Sequence, residues 1–265
     1  MAESMTARAQ CSVVFLAAAS GSVDALALSA LGHVFAGVMT GNLVLMGVTA
    51  GSGGERGLPA ALALAGYVTG TVLAARLCRG PRTGTRAGGW PPRVVGCLWL
   101  EALLLVGFAA AAASSGGAPE GTWRTVLLVT AATAMGLQSS AMLAGGSMAA
   151  PSTYFTGTLT ALFAQLPAGG PPPSTGAALR LVAVVSGAAA ASGLWAVAAP
   201  AAFACPVVLL LVALAFQRSG AGGPALPTVR TGRRRATGGR RTPGAAGRRR
   251  KPAGRWGSRG CGASG

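Results

Sequence analysis

The sequence predicts an all-α membrane protein: six transmembrane helices arranged as a 3+3 inverted repeat, each half carrying one short, broken, re-entrant helix. Three observations predict it. Apolar runs recur along a chain that is 51% hydrophobic and only 10% charged, far below the ~25% charge of an ordinary soluble domain. A glycine-punctuated motif at 20–47 returns in weakened form at 135–166. Basic residues concentrate in a loop at 79–93 and in the stretch after 217.

The elements follow in order. An apolar helix of roughly 20 residues spans a hydrocarbon core ~30 Å thick. Residues 1–10 are a polar lead, and 11–31 form the first span. Arg8 ahead of that run imitates a secretory leader, but the same pattern recurs mid-chain, where no leader acts. Gly32, Gly37 and Gly41 break the helix over 32–42. The apolar residues 43–50, extended back to Thr40-Gly41-Asn42, make a helix of about 12 residues, ~18 Å, too short to cross. After the loop 51–57, the second span is 58–78 and the third is 94–113, separated by a basic loop at 79–93. The second half repeats the plan: a span at 123–144, a break at 145–153, a short helix at 154–166, then spans at 178–197 and 202–217. The prolines of 167–177 exclude a helix between them.

The repeat rests on three separated matches. Gly21 recurs as Gly136, 115 residues on; Thr40-Gly41 recurs as Thr156-Gly157, at 116; Thr69-Gly70 recurs as Ser186-Gly187, at 117. Residues 1–217 therefore form a membrane domain, with repeats at about 11–113 and 123–217. Residues 218–265 hold 13 of the 22 basic residues and none of the five acids. That tail is Arg-, Gly- and Pro-rich, cannot bury a core and is expected to be disordered. Anionic lipid is its expected contact, and no specific nucleic acid is implied.

Charge sets the expected topology. Basic loops stay in the cytoplasm, which puts 79–93 and the tail inside. Four crossings join them, provided the short helix at 154–166 does not cross. The same logic keeps the N-terminus inside and leaves three spans per half, so the halves insert in opposite senses. The protein is then a multi-pass protein of the inner or plasma membrane, with the lipid bilayer as its partner.

The candidate site follows from the two breaks. Irregular backbone at membrane depth is tolerated only inside protein or beside a wet cavity. Thr40 and Thr156 are placed as N-caps, and Gly41 and Gly157 allow close approach, so the two half-helix ends are expected to meet near the midplane. Helix N-termini carry unpaired N–H groups and partial positive charge, which suits a small polar or anionic solute. Asn42 and Thr158 stand beside these turns, and Gln138 lies within the fourth span. Asp24 is the sharpest residue, because a carboxylate inside a span is costly unless paired, hydrated or protonated. It is expected to contact solute or a coupling cation, or to bond the broken backbone of 32–42. Glu101 in the third span and His33 at the break are secondary candidates. Trp90, Trp99, Trp123 and Trp195 near helix ends read as interfacial anchors. The five cysteines form no C-x-x-C pair, and neither a metal nor another cofactor is expected. No H-E-x-x-H, G-x-S-x-G or Walker loop occurs, so the chain is not expected to be an enzyme.

The stretch GSVDALALSALGHVFAGVMTGNLVLMG, with MGLQSS and TYFTGTLTAL, resembles the YoaK-like family of bacterial multipass membrane proteins, a group of unknown function. The resemblance covers roughly residues 10–217. It implies a six-span inner-membrane protein and no particular activity. That family has Asn after the Gln of the second motif, followed by basic residues; here Ser139 and Met142-Leu143 stand there.

Overall fold

The structure, a computed structural model, describes residues 7–79, 90–146, 155–164 and 175–218. Most of the basic loop, most of the second break, most of the proline-rich connection and nearly all of the basic tail lie outside the described residues. The described residues form eight helices: α1 (Ala7–Ala30), α2 (Met39–Ser52), α3 (Gly57–Leu77), α4 (Pro92–Ser114), α5 (Gly121–Ala144), α6 (Phe155–Ala164), α7 (Thr175–Ala202) and α8 (Cys205–Arg218).

Local sequence explains the boundaries. Gly32 (φ 116°) and His33 (φ 58°) take left-handed backbone and stop α1. Pro92 opens α4 at a position where its missing N–H is no loss. Pro200 has no N–H for the turn before it, and α7 kinks there, with Ala198 at φ −152°, ψ 70°.

Five helices, α1, α3, α4, α5 and α7, are long and apolar enough to cross a membrane. The expected sixth span is shorter. Helix α8 has 14 residues, the same as α2, and at ~1.5 Å per residue reaches only ~21 Å. Length alone therefore does not separate the helix expected to cross from the one expected not to.

Helices α1 and α5 sit at the centre. Their most apolar stretches are 67% and 72% buried, against 28%, 39% and 17% for α3, α4 and α7. Helix α1 packs on α7 and α8, while α5 packs on α3 and α4. The short helices lie outside this core, α2 on α3 and α6 on α7. The outer helices show apolar side chains outward, including Val68 and Val72 on α3 and Val182 and Val185 on α7, as lipid-facing surfaces do.

Two crossings fix the arrangement. At one, Gly21 of α1 lies against the backbone of Val184 and Gly187 of α7 against that of Ala18. At the other, Gly70 of α3 lies against Thr133 and Gly136 of α5 against Tyr67. A Cβ added at any of the four would collide with a carbonyl of the facing helix. Close approach through small residues is the usual basis of helix association in lipid, where apolar burial offers no net drive. Aromatic contacts close the ends: Phe15 stacks on Phe216 at 5.6 Å, and Phe108 meets Phe203 edge-on at 5.2 Å. Two of the tryptophans expected as interfacial anchors turn inward. Trp90 is buried, and Trp195 donates its indole N–H to the Gly117 carbonyl at 3.4 Å.

The crossings predict an asymmetry among glycines. Gly136→Ala should cost about 1–3 kcal/mol, as overpacking does. Gly107 faces open space, so Gly107→Ala should be neutral or stabilise by up to ~1 kcal/mol through helix propensity. Thermal unfolding of both variants in detergent checks this; equal effects would contradict it.

Candidate functional site

The site is built around the interruption between α1 and α2. Residues 31–38 are irregular, yet Leu31, Val34 and Ala36 are almost fully buried. Backbone donors in such a segment need partners inside the protein. Asp24, near the end of α1, supplies two of them. Its Oδ1 accepts the N–H of Ala36 at 2.9 Å and of Gly37 at 2.7 Å. Asn42, in the first turn of α2, serves the third. Its Oδ1 accepts the Phe35 N–H at 2.9 Å, and its Nδ2 donates to the Phe35 carbonyl at 2.6 Å.

These bonds form a clasp. Asp24 reaches forward and Asn42 reaches back, and between them three consecutive N–H groups are satisfied. The glycines fit the same construction. A Cβ on Gly37 would sit 3.1 Å from Oδ2 of Asp24 and 3.6 Å from Met135 of α5, so the clasp lies beside the second central helix. Gly41 leaves room for the Phe35 ring, which a Cβ would approach to 2.9 Å. The D-to-N pairing of the motif is therefore a backbone-pinning device.

The structure corrects the expected capping. Thr40 is not the N-cap of α2. The helix starts at Met39, its N-cap residue is Val38, and no side chain caps it. The first turn closes on the Val38 carbonyl, which accepts from Gly41 and Asn42, while Asp24 serves the amides of Ala36 and Gly37 just before it. Thr40 is exposed and Gly41 half-buried. In the second half, Thr156 is the second residue of α6, and both Thr156 and Gly157 are exposed, with Thr158 half-buried. Helices α2 and α6 pack on α3 and α7 respectively and form no extensive packing with each other.

The remaining candidates fall in separate places. Gln138 is fully buried, and its Nε2 donates to the Leu16 carbonyl at 3.1 Å, tying the two central helices together. His33 is exposed at the stop of α1. Glu101 lies on α4, fully buried, and makes no hydrogen bond to the clasp groups. The reading in which Asp24 bonds the broken backbone of 32–42 is the one the structure shows, at Ala36 and Gly37; sequence reasoning missed Phe35 and Met135. A usable signal was present: a buried irregular run needs acceptors within reach, and Asp24 and Asn42 flank it.

The second half departs from the first. The 115-residue offset that relates Gly21 to Gly136 also brings Asp24 to Ser139, whose hydroxyl donates to the Met135 carbonyl within its own helix at 2.8 Å. Asn42 corresponds to Thr158. The clasp residues thus belong to one half only. Among the described residues, no group of three or more His, Cys, Asp or Glu could hold a metal ion.

The clasp predicts a graded response. Asp24→Ala leaves two buried amides unserved and should destabilise the protein by roughly 1–3 kcal/mol for each. Asp24→Asn keeps one acceptor oxygen and should cost less. Hydrogen exchange at Ala36 and Gly37 measures it: protection lost in the Ala variant and retained in part in the Asn variant. Equal protection in both would contradict the clasp.

Comparison with known proteins agrees with this architecture. The chain is 33% identical over 148 residues to "UPF0700 transmembrane protein YoaK" of Bacillus subtilis (strain 168), a match covering 56% of this chain and 62% of that protein. The aligned part is thus under two thirds of the relative's length. No solved structure matches the chain. The family described as "Protein of unknown function (DUF1275)" matches residues 12–216, from within α1 to within α8. A multi-pass helical membrane protein with the clasp motif at its first interruption, the chain belongs to this family of unknown function.

Proposed function

We propose that the protein is a transporter or channel for a small polar solute, built as a 3+3 inverted repeat with both termini in the cytoplasm. The observation that carries the reading is the clasped interruption of a central apolar helix. Broken helices at membrane depth are a recurring feature of solute sites, and here the break is held in a defined shape beside α5. The half-buried Asp24 carboxylate and the buried Asn42 amide are polar side chains at that break. An anionic solute is less well supported than a neutral or cationic one, because the N–H groups of residues 35–37 already have acceptors.

The inverted repeat is supported by the pattern of packing. Exchange α1 with α5, α3 with α7 and α4 with α8. The α1–α7 contact becomes α5–α3, and α1–α8 becomes α5–α4, both of which occur. The glycine crossings exchange in the same way, Gly21 with Gly136 and Gly70 with Gly187. Each first span therefore packs on the second span of the other half, an interlocked arrangement that neither half can form alone.

A second reading, a non-transporting scaffold or accessory subunit, is favoured by the fact that Asp24 and Asn42 serve the backbone. Two measurements separate the readings. Screening purified protein by thermal shift against amino acids, sugars, polyols, ammonium and small carboxylates should give at least one stabilising solute, and Asp24→Asn should abolish its flux into proteoliposomes while leaving folded yield intact. No shift across the panel, with a fixed protein partner co-purifying, would leave the scaffold reading standing. For topology, single cysteines replacing Gly53 and Thr175 in a cysteine-free background should react with an impermeant maleimide from opposite sides of the membrane. Labelling from the same side would overturn the inverted repeat.

A further inference from the structure

Helix α4 carries one acid within its apolar length, and the clasp does not use it. Glu101 is nine residues beyond Pro92 in a 23-residue helix, so at about 1.5 Å per residue it lies ~14 Å from the helix start, near mid-depth. Its relative exposure is 0%. Neither Oε1 nor Oε2 has a hydrogen-bond partner among the described residues. Along its own helix the neighbours are the buried apolar Leu98, Ala102 and Leu105.

The surrounding helices offer no counter-charge in contact. Helix α4 packs on α5, α8, α7 and α3. The titratable side chains described on them are Arg124 of α5, Cys205 of α8, Arg180 of α7, and Tyr67 and Arg76 of α3 with Cys78 just beyond. Arg93 and Cys97 lie on α4 itself. None of these bonds the carboxyl oxygens. Arg93 donates to the Arg79 carbonyl, and the Cys97 thiol lies 3.6 Å from that of Cys78.

An ionised carboxylate with neither water nor donor is far more costly in this setting than the neutral acid. A side chain present only to fill space would be Leu or Met, at no such cost. We propose that Glu101 is a proton-binding site within the membrane. It holds a proton when the helices are packed as here, and gives it up only in a state that admits water to α4. The assignment stands on α4 and does not require the transport reading.

The test uses the full-length protein in lipid nanodiscs at neutral pH. Dicyclohexylcarbodiimide, which attacks protonated carboxyls in apolar surroundings, should form an adduct on the Glu101 peptide by mass spectrometry. Infrared spectra should contain the C=O stretch of a protonated carboxyl that vanishes in Glu101→Gln and shifts in Glu101→Asp. Glu101→Leu should fold with a melting temperature equal to or above that of the native chain, since no partner is lost. Absence of the infrared band, or a large fall in melting temperature for Glu101→Leu, would overturn the proposal whether or not the carbodiimide gains access.

Discussion

In hydrocarbon, helices gain nothing from burying apolar surface against one another, because the lipid is equally apolar. They are held by close packing and by polar contacts that lipid cannot supply. The whole arrangement rests on the first of these at two places, the Gly21–Gly187 and Gly70–Gly136 crossings. Each brings backbone against backbone across a central helix. With these crossings in place, α1 and α5 become the core, and α3, α4, α7 and α8 become its shell. The cross-link from Gln138 to the Leu16 carbonyl then joins the two central helices by the second kind of contact.

A central helix followed by buried irregular chain leaves backbone groups that need partners. At the end of α1 the stop is made by two consecutive residues of left-handed backbone, and the run that follows is buried. Asp24 and Asn42 answer it with four hydrogen bonds around residues 35–37. This explains why a carboxylate can reside within an apolar span: it is fixed by donors that would otherwise be orphaned. It also limits what the same groups can offer a solute. A ligand at this break competes with an existing network and does not meet open helix-end amides.

The motif at 20–47 and its weakened counterpart at 135–166 differ in their polar residues. The first keeps the clasp pair; the second has Ser139 and Thr158 in the corresponding places. The first half also carries Glu101, whose setting is the opposite of that of Asp24. One acid is surrounded by donors, the other by aliphatic side chains. Two carboxyls in such different surroundings have different ionisation chemistry.

The sequence by itself determined the all-helical membrane class and the order of the apolar helices, five of which are long enough to cross. Apolar run length, glycine and proline punctuation and the repeat offset are local quantities, and helix formation in lipid follows from them because every backbone group must be paired within its own segment. The resemblance carried by the Asp24-to-Asn42 stretch was also legible, since it lies in one contiguous motif. Partner choice was not. That Gly21 meets α7 and not α3, that Asp24 serves Ala36 and Gly37, and that Glu101 is left with no donor all depend on which helices come together. The capping role given to Thr40 failed because the helix starts earlier, at Met39, with Gly41 and Asn42 closing its first turn on the Val38 carbonyl.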